Sequence, residues 1–131
     1  MTTITIKQEG MFPGSPADIY ELWMDSNKHA AMTGGEAQIS RRVGGEFTNF
    51  DGWASGTNVE LIPNKKIVQT WRANDWPAGH YSTLTIILVP AAQGTKLMFS
   101  QTDVPKNKAK AIAQGWRDYY WGPMKKVLAG E

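Results

Sequence analysis

The only imidazoles in the chain are His29 and His80, and neither belongs to a pattern that performs chemistry. His29 falls in a short helical segment with no second histidine to complete a metal site, and His80 follows the turn Trp76-Pro77-Ala78-Gly79 at the start of a strand. No nucleophile or partner acid can be assigned to His80, so fixing that turn outranks a role as general base. Asp25, Glu36, Glu46 and Asp51 stand in or beside loops without a shared spacing and read as solvated charge rather than an acid–base pair. Cysteine is absent, which removes disulfides, thiol nucleophiles and thiolate metal sites and fits a reducing compartment. Gly44-Gly45 lacks a downstream Lys-Ser/Thr and opens no helix, so it marks a turn or bulge and not a phosphate loop. Lys106, Lys108 and Lys110 gather where a helix begins, a place slightly unfavourable for positive charge. A solvated helix end is the simpler account of them, and an acidic partner the alternative. With catalytic, metal and cofactor sites unsupported, what remains is the chemistry of surfaces, carried by six Trp, four Tyr and four Phe.

Those aromatics need elements to hold them. Thr3 to Met11 alternates Ile4 and Ile6 with Thr5 and Lys7, the period of a half-buried strand. In PGSPADIYELWMD, Ser15 caps a helix with Pro16 at its first position and Asp18 in its first turn, and Ile19, Leu22 and Trp23 form its apolar stripe. SNKHAAMTGG predicts a second short helix, capped by Ser26 and stopped by Gly34 and Gly35. Turn signals at Gly44-Gly45, Asp51-Gly52, Pro63-Asn64, Pro77 to Gly79 and Gln93-Gly94 then separate six strands, at about 37–41, 46–50, 55–62, 66–73, 80–89 and 95–102. No helix interrupts them, so the sheet is expected to be antiparallel.

After Pro105 the pattern becomes helical. At about 100° per residue, Ala109, Ile112, Ala113, Trp116, Tyr120, Met124 and Val127 share one face, while Trp121 lies roughly 120° from its centre. The wheel therefore leaves Trp121 outside the core, as a partner-surface residue, and places Tyr119 at the border. Gly122 and Pro123 predict a kink. Trp23, Trp71 and Trp116 fit apolar stripes, where core packing outranks ligand contact, although some of them could line a cavity. Trp53 and Trp76 fall on predicted loops, where recognition and capping the end of the sheet are equally good readings.

The chain as a whole bounds the answer. At 131 residues, with 41% hydrophobic content and a formal charge of +2, it suits one domain spanning residues 1–131. The charge is interspersed, so neither nucleic acid nor an anionic membrane is indicated. No targeting segment or membrane-length apolar run is visible, which points to a soluble, cytoplasmic protein.

The run "GGEFTNFDGWASGTNVELIPNKKIVQTWRANDWPAGHYSTLTI", followed by "GTKLMF" and "QGWRDYYW", resembles the C-terminal domain of the activator of the 90-kDa heat-shock protein ATPase, over nearly the whole chain. Gly44-Gly45, Trp71, Trp76 to His80, Gly94-Thr95 and Gly115-Trp116 carry the resemblance together. It implies the α+β helix-grip fold of the START-like superfamily: a curved antiparallel sheet of about seven strands around a long C-terminal helix, with two short helices after the first strand. It also implies a non-catalytic co-chaperone module whose partner is the 90-kDa heat-shock chaperone. The N-terminal domain that makes the main chaperone contact in the eukaryotic co-chaperone is absent from this sequence, and Pro123 departs from the family pattern. The alternative is a carrier of a small hydrophobic ligand between sheet and helix, with Trp71, Tyr81, Phe99, Trp116 and Tyr120 as cavity walls. A cyclase-like enzyme, the third reading, rests on superfamily analogy alone. Partner-surface candidates are Trp53, Trp76 and Trp121, and the oligomeric state is open.

Overall fold

The computed structural model describes residues 2–130. Strand β1 (Thr3–Phe12) leads into helices α1 (Pro16–Met24) and α2 (Ser26–Thr33). Strands β2 (Gln38–Ile39), β3 (Glu46–Asn49), β4 (Ala54–Ile62), β5 (Lys66–Ala73), β6 (Ser82–Ala91) and β7 (Gly94–Pro105) follow in order. The chain ends in helix α3 (Lys106–Trp116), one wide turn (Arg117–Trp121) and helix α4 (Gly122–Leu128). The seven strands form one sheet in the order β1-β7-β6-β5-β4-β3-β2, and every pairing is antiparallel. Register shifts between β1 and β7, where β7 carries the extra residue opposite Ile4 to Ile6, and in β4 between Asn58 and Glu60 bend the sheet, as an extra residue on one strand does. The bent sheet grips the C-terminal helix, and this is the START-like helix-grip arrangement.

Local sequence accounts for the helices. Ser15 Oγ accepts from the Asp18 N–H, and the Asp18 carboxylate accepts from the Ser15 N–H, both at 3.1 Å, a reciprocal cap with Pro16 in the first turn. Asp25, not Ser26, caps α2 by accepting from Lys28 N–H at 2.9 Å. Ser26 Oγ instead accepts from Ile39 N–H at 2.8 Å and ties α2 to β2. That tie holds a strand only two residues long, shorter than the five read from the sequence. At the other end of the sheet, β7 continues to Pro105 because β1 pairs with it that far. Gly94 has φ +146°, and a Cβ there would lie 1.9 Å from the Phe12 carbonyl oxygen, so the β6–β7 hairpin can pass β1 only without a side chain.

The core lies between the inner sheet face and the helices. It includes Leu84, Ile86, Leu97 and Phe99 from the sheet, Ile19, Trp23 and Met24 from α1, and Trp116, Tyr120 and Met124 from the C-terminal helix. Buried glutamines sit within this apolar layer. Gln69 Oε1 accepts from Trp23 Nε1 at 3.0 Å, and Gln101 Oε1 accepts from Trp116 Nε1 at 2.8 Å. Gln69 donates in turn to Asn58 at 2.9 Å, and Gln101 to Ser82 at 2.9 Å. Each indole is thus fixed by a satisfied polar chain across the sheet, which orients the ring as well as burying it.

Candidate functional site

A groove runs between the C-terminal helix and two loops at one end of the sheet. On the helix side its lining is Lys108, Ala111, Ile112, Gly115, Trp116, Tyr119 and Tyr120. These positions recur every three or four residues and form one continuous stripe, about 18 Å long at 1.5 Å per residue. The opposite wall is Phe50 and Trp53 from the β3–β4 turn, Trp71 from β5, and Asp75 and Trp76 from the β5–β6 loop. The groove is open to solvent along one side and holds about 410 Å³.

The walls are rings held in place by other rings. Trp71 sits 5.4 Å from Trp76, 5.4 Å from Trp116 and 5.7 Å from Trp53, centroid to centroid. Phe50 meets Tyr119 edge-on at 5.7 Å and Tyr120 at 5.9 Å. Trp71, Trp76, Trp116 and Tyr120 are buried, whereas Trp53 is 37% and Tyr119 54% exposed at the rim. A fixed floor with aromatic residues at its edge is the anatomy of a preformed contact site.

Three local devices shape the groove. The first is backbone strain: Phe50 and Asp51 have φ of +53° and +58°, a left-handed conformation that disfavours non-glycine residues by about 1 kcal/mol or more each. Asp51 is held there because its Oδ1 accepts from Glu36 N–H at 2.9 Å while its own N–H donates to Glu36 O at 3.1 Å. The second is Arg72, whose guanidinium donates to Trp76 O at 2.8 Å and to Pro77 O and His80 O at 3.3 Å. It ties down the loop that presents Trp76. The third is Gly115, an interior helical glycine at which a Cβ would meet nothing within 4 Å. Glycine there disfavours the helix by roughly 0.5–1 kcal/mol relative to alanine, and no close packing requires it. Its effect is to deepen the groove.

Two of the lining tryptophans, Trp71 and Trp76, hold buried indole N–H groups that have no hydrogen-bond partner among the described residues, and other polar groups pair with one another. The Tyr120 hydroxyl lies 2.8 Å from His29 Nε2, and His29 Nδ1 lies 2.9 Å from the Trp23 carbonyl oxygen. A carbonyl only accepts, so Nδ1 carries the proton, Nε2 accepts, and the Tyr120 hydroxyl donates. Burial pushes the His29 imidazole down to about 4, opposed by the Trp23 hydrogen bond, and raises Tyr120 well above its usual value. Both groups are therefore held neutral. At the mouth, Lys108 Nζ pairs with Asp75 Oδ2 at 3.0 Å. Among the described residues, no group of three or more His, Cys, Asp or Glu side chains comes together as a metal site needs, and no helix is long and apolar enough to cross a membrane.

Placement of the residues singled out from sequence is mixed. Trp71, Trp116 and Tyr120 line the groove, joined by Trp53 and Trp76. Trp76 is buried even though it lies on a loop, because Arg72 folds that loop inward. Tyr81 does not line the groove: it precedes the inward series Ser82, Leu84 and Ile86, so alternation turns it outward. It is 46% exposed, with the Arg72 guanidinium 5.8 Å over its ring. Phe99 is buried beneath the helix, 4.9 Å from Trp116 and 5.3 Å from Trp121, and is likewise not a wall.

Trp121 does not point away from the molecule. It is half-buried, stacked at 6.3 Å on Trp116 and 6.2 Å on Trp23. A straight wheel puts Trp121 about 140° around from Trp116, but the turn between them is wide. Gly122 N–H bonds the carbonyl of Arg117, five residues back, and in such a turn the residue five positions on returns above the first. The widening takes the place of the kink expected at Pro123, which has no N–H to continue the ladder. It also releases a carbonyl: Arg117 N–H bonds Gln114 O, and Gln8 Nε2 donates to Ala113 O at 3.0 Å. Gln8 Oε1 accepts from Trp121 Nε1 at 2.6 Å. The two ends of one amide on β1 thus fix the turn that carries Tyr119 and Tyr120 into the groove. Gln8 was missed from sequence, although it stands on the same strand face as Ile6.

Comparison with known proteins adds a relationship to this geometry. The family model described as Activator of Hsp90 ATPase homolog 1-like protein matches residues 13–129. A human protein named Activator of 90 kDa heat shock protein ATPase homolog 1 is 32% identical over 125 residues, covering 95% of this chain and 36% of the relative. A Dictyostelium discoideum protein named Activator of 90 kDa heat shock protein ATPase homolog is 34% identical over 117 residues, covering 88% of this chain and 30% of the relative. The chain thus spans about a third of the length of these relatives. Among solved structures, an HSP90 activator from Plasmodium falciparum superposes with a TM-score of 0.87 at 23% identity, covering 97% of this chain and 96% of the other. A protein from Chromobacterium violaceum superposes with a TM-score of 0.80 at 23% identity, covering 95% and 97%.

Proposed function

We propose, from the premise that this chain belongs to the family of Activator of Hsp90 ATPase homolog 1-like proteins, that it is a non-catalytic binding module that docks on a 90-kDa heat-shock chaperone. The observation that carries this reading is the preformed aromatic groove with Trp53 and Tyr119 exposed at its rim. Its lining is mainly aromatic and aliphatic, and the buried ionisable pair His29–Tyr120 is spent on itself and held neutral. Such a surface supplies contact area and not proton transfer. Names of the longer relatives support a chaperone as partner, and the activity of those whole proteins is a proposal for this chain.

ATPase turnover of a purified 90-kDa chaperone, with and without this protein, tests the reading. Direct binding that raises turnover, and that weakens on Trp53→Ala, supports it. Absence of both binding and stimulation at tens of equivalents refutes it. A second reading, carriage of a small hydrophobic ligand, is favoured by the volume of about 410 Å³, within the range of about 300–1,000 Å³ usual for such pockets. A panel of lipids and aromatic compounds that leaves the groove resonances unmoved removes it.

A further inference from the structure

We infer that the groove binds a small, neutral, flat-ringed molecule with a carbonyl oxygen, and that this oxygen accepts from the indole N–H groups of Trp71 and Trp76. The inference deepens the second reading of the groove, a site for a small hydrophobic ligand, and rests on it.

The two N–H groups set the requirement. Both nitrogens are buried without a hydrogen-bond partner among the described residues, and both rings line the groove. Elsewhere the chain meets the same need with a glutamine oxygen: Trp23 donates to Gln69, Trp116 to Gln101 and Trp121 to Gln8. No glutamine serves Trp71 or Trp76. Their rings meet edge-on, 5.4 Å apart at 67°, and donation of an N–H to a neighbouring ring face is too weak to replace an oxygen. A buried donor without an acceptor disfavours the fold, and here two stand side by side. One carbonyl oxygen, with two lone pairs, is able to accept from both.

The rest of the lining defines the rest of the ligand. Asn49 Oδ1, the other buried side-chain atom without a partner among the described residues, lies outside the lining, so the groove asks for an acceptor and not a donor. The charged residues of the lining, Lys108 and Asp75, pair with each other at 3.0 Å. They leave no surplus cation to offset a buried anion, so the oxygen is that of a ketone or ester and not of a carboxylate. The walls are aromatic faces and edges, which suit a flat ring system. A volume of about 410 Å³ stands toward the lower end of the range of about 300–1,000 Å³ for ligand sites, and so favours a compact molecule over a long acyl chain.

Access runs past Trp53. Because both nitrogens are covered, the oxygen reaches them as a neighbouring ring turns aside. Trp53 is 37% exposed and edge-on to Trp71 at 5.7 Å, so its ring has solvent to swing into, whereas Trp116 is tied to Gln101.

The test uses the full chain, isotope-labelled, with fluorenone, fluorene and fluorene carboxylate: one ring system bearing a ketone oxygen, no oxygen, or an anion. Fluorenone is expected to move the indole N–H signals of Trp71 and Trp76 downfield, and to bind roughly tenfold tighter than either of the others. Trp71→Phe and Trp76→Phe each keep a ring and remove an N–H. Each is expected to cut the preference for fluorenone over fluorene several-fold while leaving fluorene affinity nearly unchanged. Where a variant does not fold, the indole signals of the wild-type protein decide. If fluorenone and fluorene bind equally, if the carboxylate binds tightest, or if fluorenone binds without moving the two indole signals, the inference falls and the small-ligand reading stands. A groove that none of the three compounds enters also overturns the inference, and the wider panel of lipids and aromatic compounds then decides the reading beneath it.

Discussion

Stability should fall as the pH drops from 6.5 to 4, because of one residue. His29 is fully buried, neutral, and bonded to Trp23 O and Tyr120 Oη, and burial brings its pKa from 6.5 to about 4. The depressed value fixes the sign. Above pH 6.5 both folded and unfolded states carry the neutral ring and nothing is lost. Below it the unfolded chain takes up a proton that the folded protein excludes, so stability declines until pH 4, where the folded protein also protonates. The full span is worth about 3 kcal/mol at 1.36 kcal/mol per unit, and the part lost by pH 5 is about 2 kcal/mol. With a urea slope of about 1–3 kcal/mol per M for a chain of this size, the midpoint moves down by roughly 1 M between pH 7.5 and pH 5. The comparison that isolates His29 is His29→Gln, which retains a donor and an acceptor but does not titrate. It should be less stable than wild type at pH 7.5, by about 1–2 kcal/mol, and should show a markedly shallower decline toward pH 5. Parallel declines in the two proteins would show that His29 is not buried neutral against Tyr120.

Other perturbations separate packing from site geometry. Trp116→Ala removes a core ring and orphans Gln101, and should lower stability by about 3–5 kcal/mol in the same urea titration. Trp121→Ala should cost about 1–3 kcal/mol, because its half-buried ring and its bond to Gln8 are both lost. Gln8→Leu leaves the Ala113 carbonyl and the Trp121 N–H without their partner; a loss of about 1–3 kcal/mol is expected, with faster amide exchange confined to residues 117–122, and unchanged exchange there would deny Gln8 its role in holding the wide turn. Gly115→Ala has space for its methyl group and should gain about 0.5–1 kcal/mol.

Much of the architecture was legible because local chemistry and global fold agree. Ser15, Pro16 and Asp18 announce α1, and the turn pairs from Gly44-Gly45 to Gln93-Gly94 separate the strands. The break at Pro105 marks the last helix. What escaped was set by tertiary contact. A wheel drawn at constant rotation misplaces Trp121, since nothing within "RDYYW" states that Gln8, more than a hundred residues earlier, will hold a wider turn. Trp76 reads as a loop residue until Arg72 collects the carbonyls of its loop. The inner glutamines carried a usable signal: Gln69 stands two residues after Ile67 and two before Trp71, and Gln101 stands two after Phe99, so period two already places both amides on the buried face. The groove was harder to read, for Phe50 enters it only through a left-handed backbone, and the emptiness beside Gly115 belongs to the assembled loops and helix.

The most direct test of the account is the amide spectrum of the labelled protein titrated with a purified 90-kDa chaperone. Binding through the groove predicts changes that cluster on Phe50, Trp53, Asp75, Trp76 and the helix positions from Lys108 to Tyr120. Changes confined to the outer sheet face around Ile87 and Val89, or none at tens of equivalents, would contradict it.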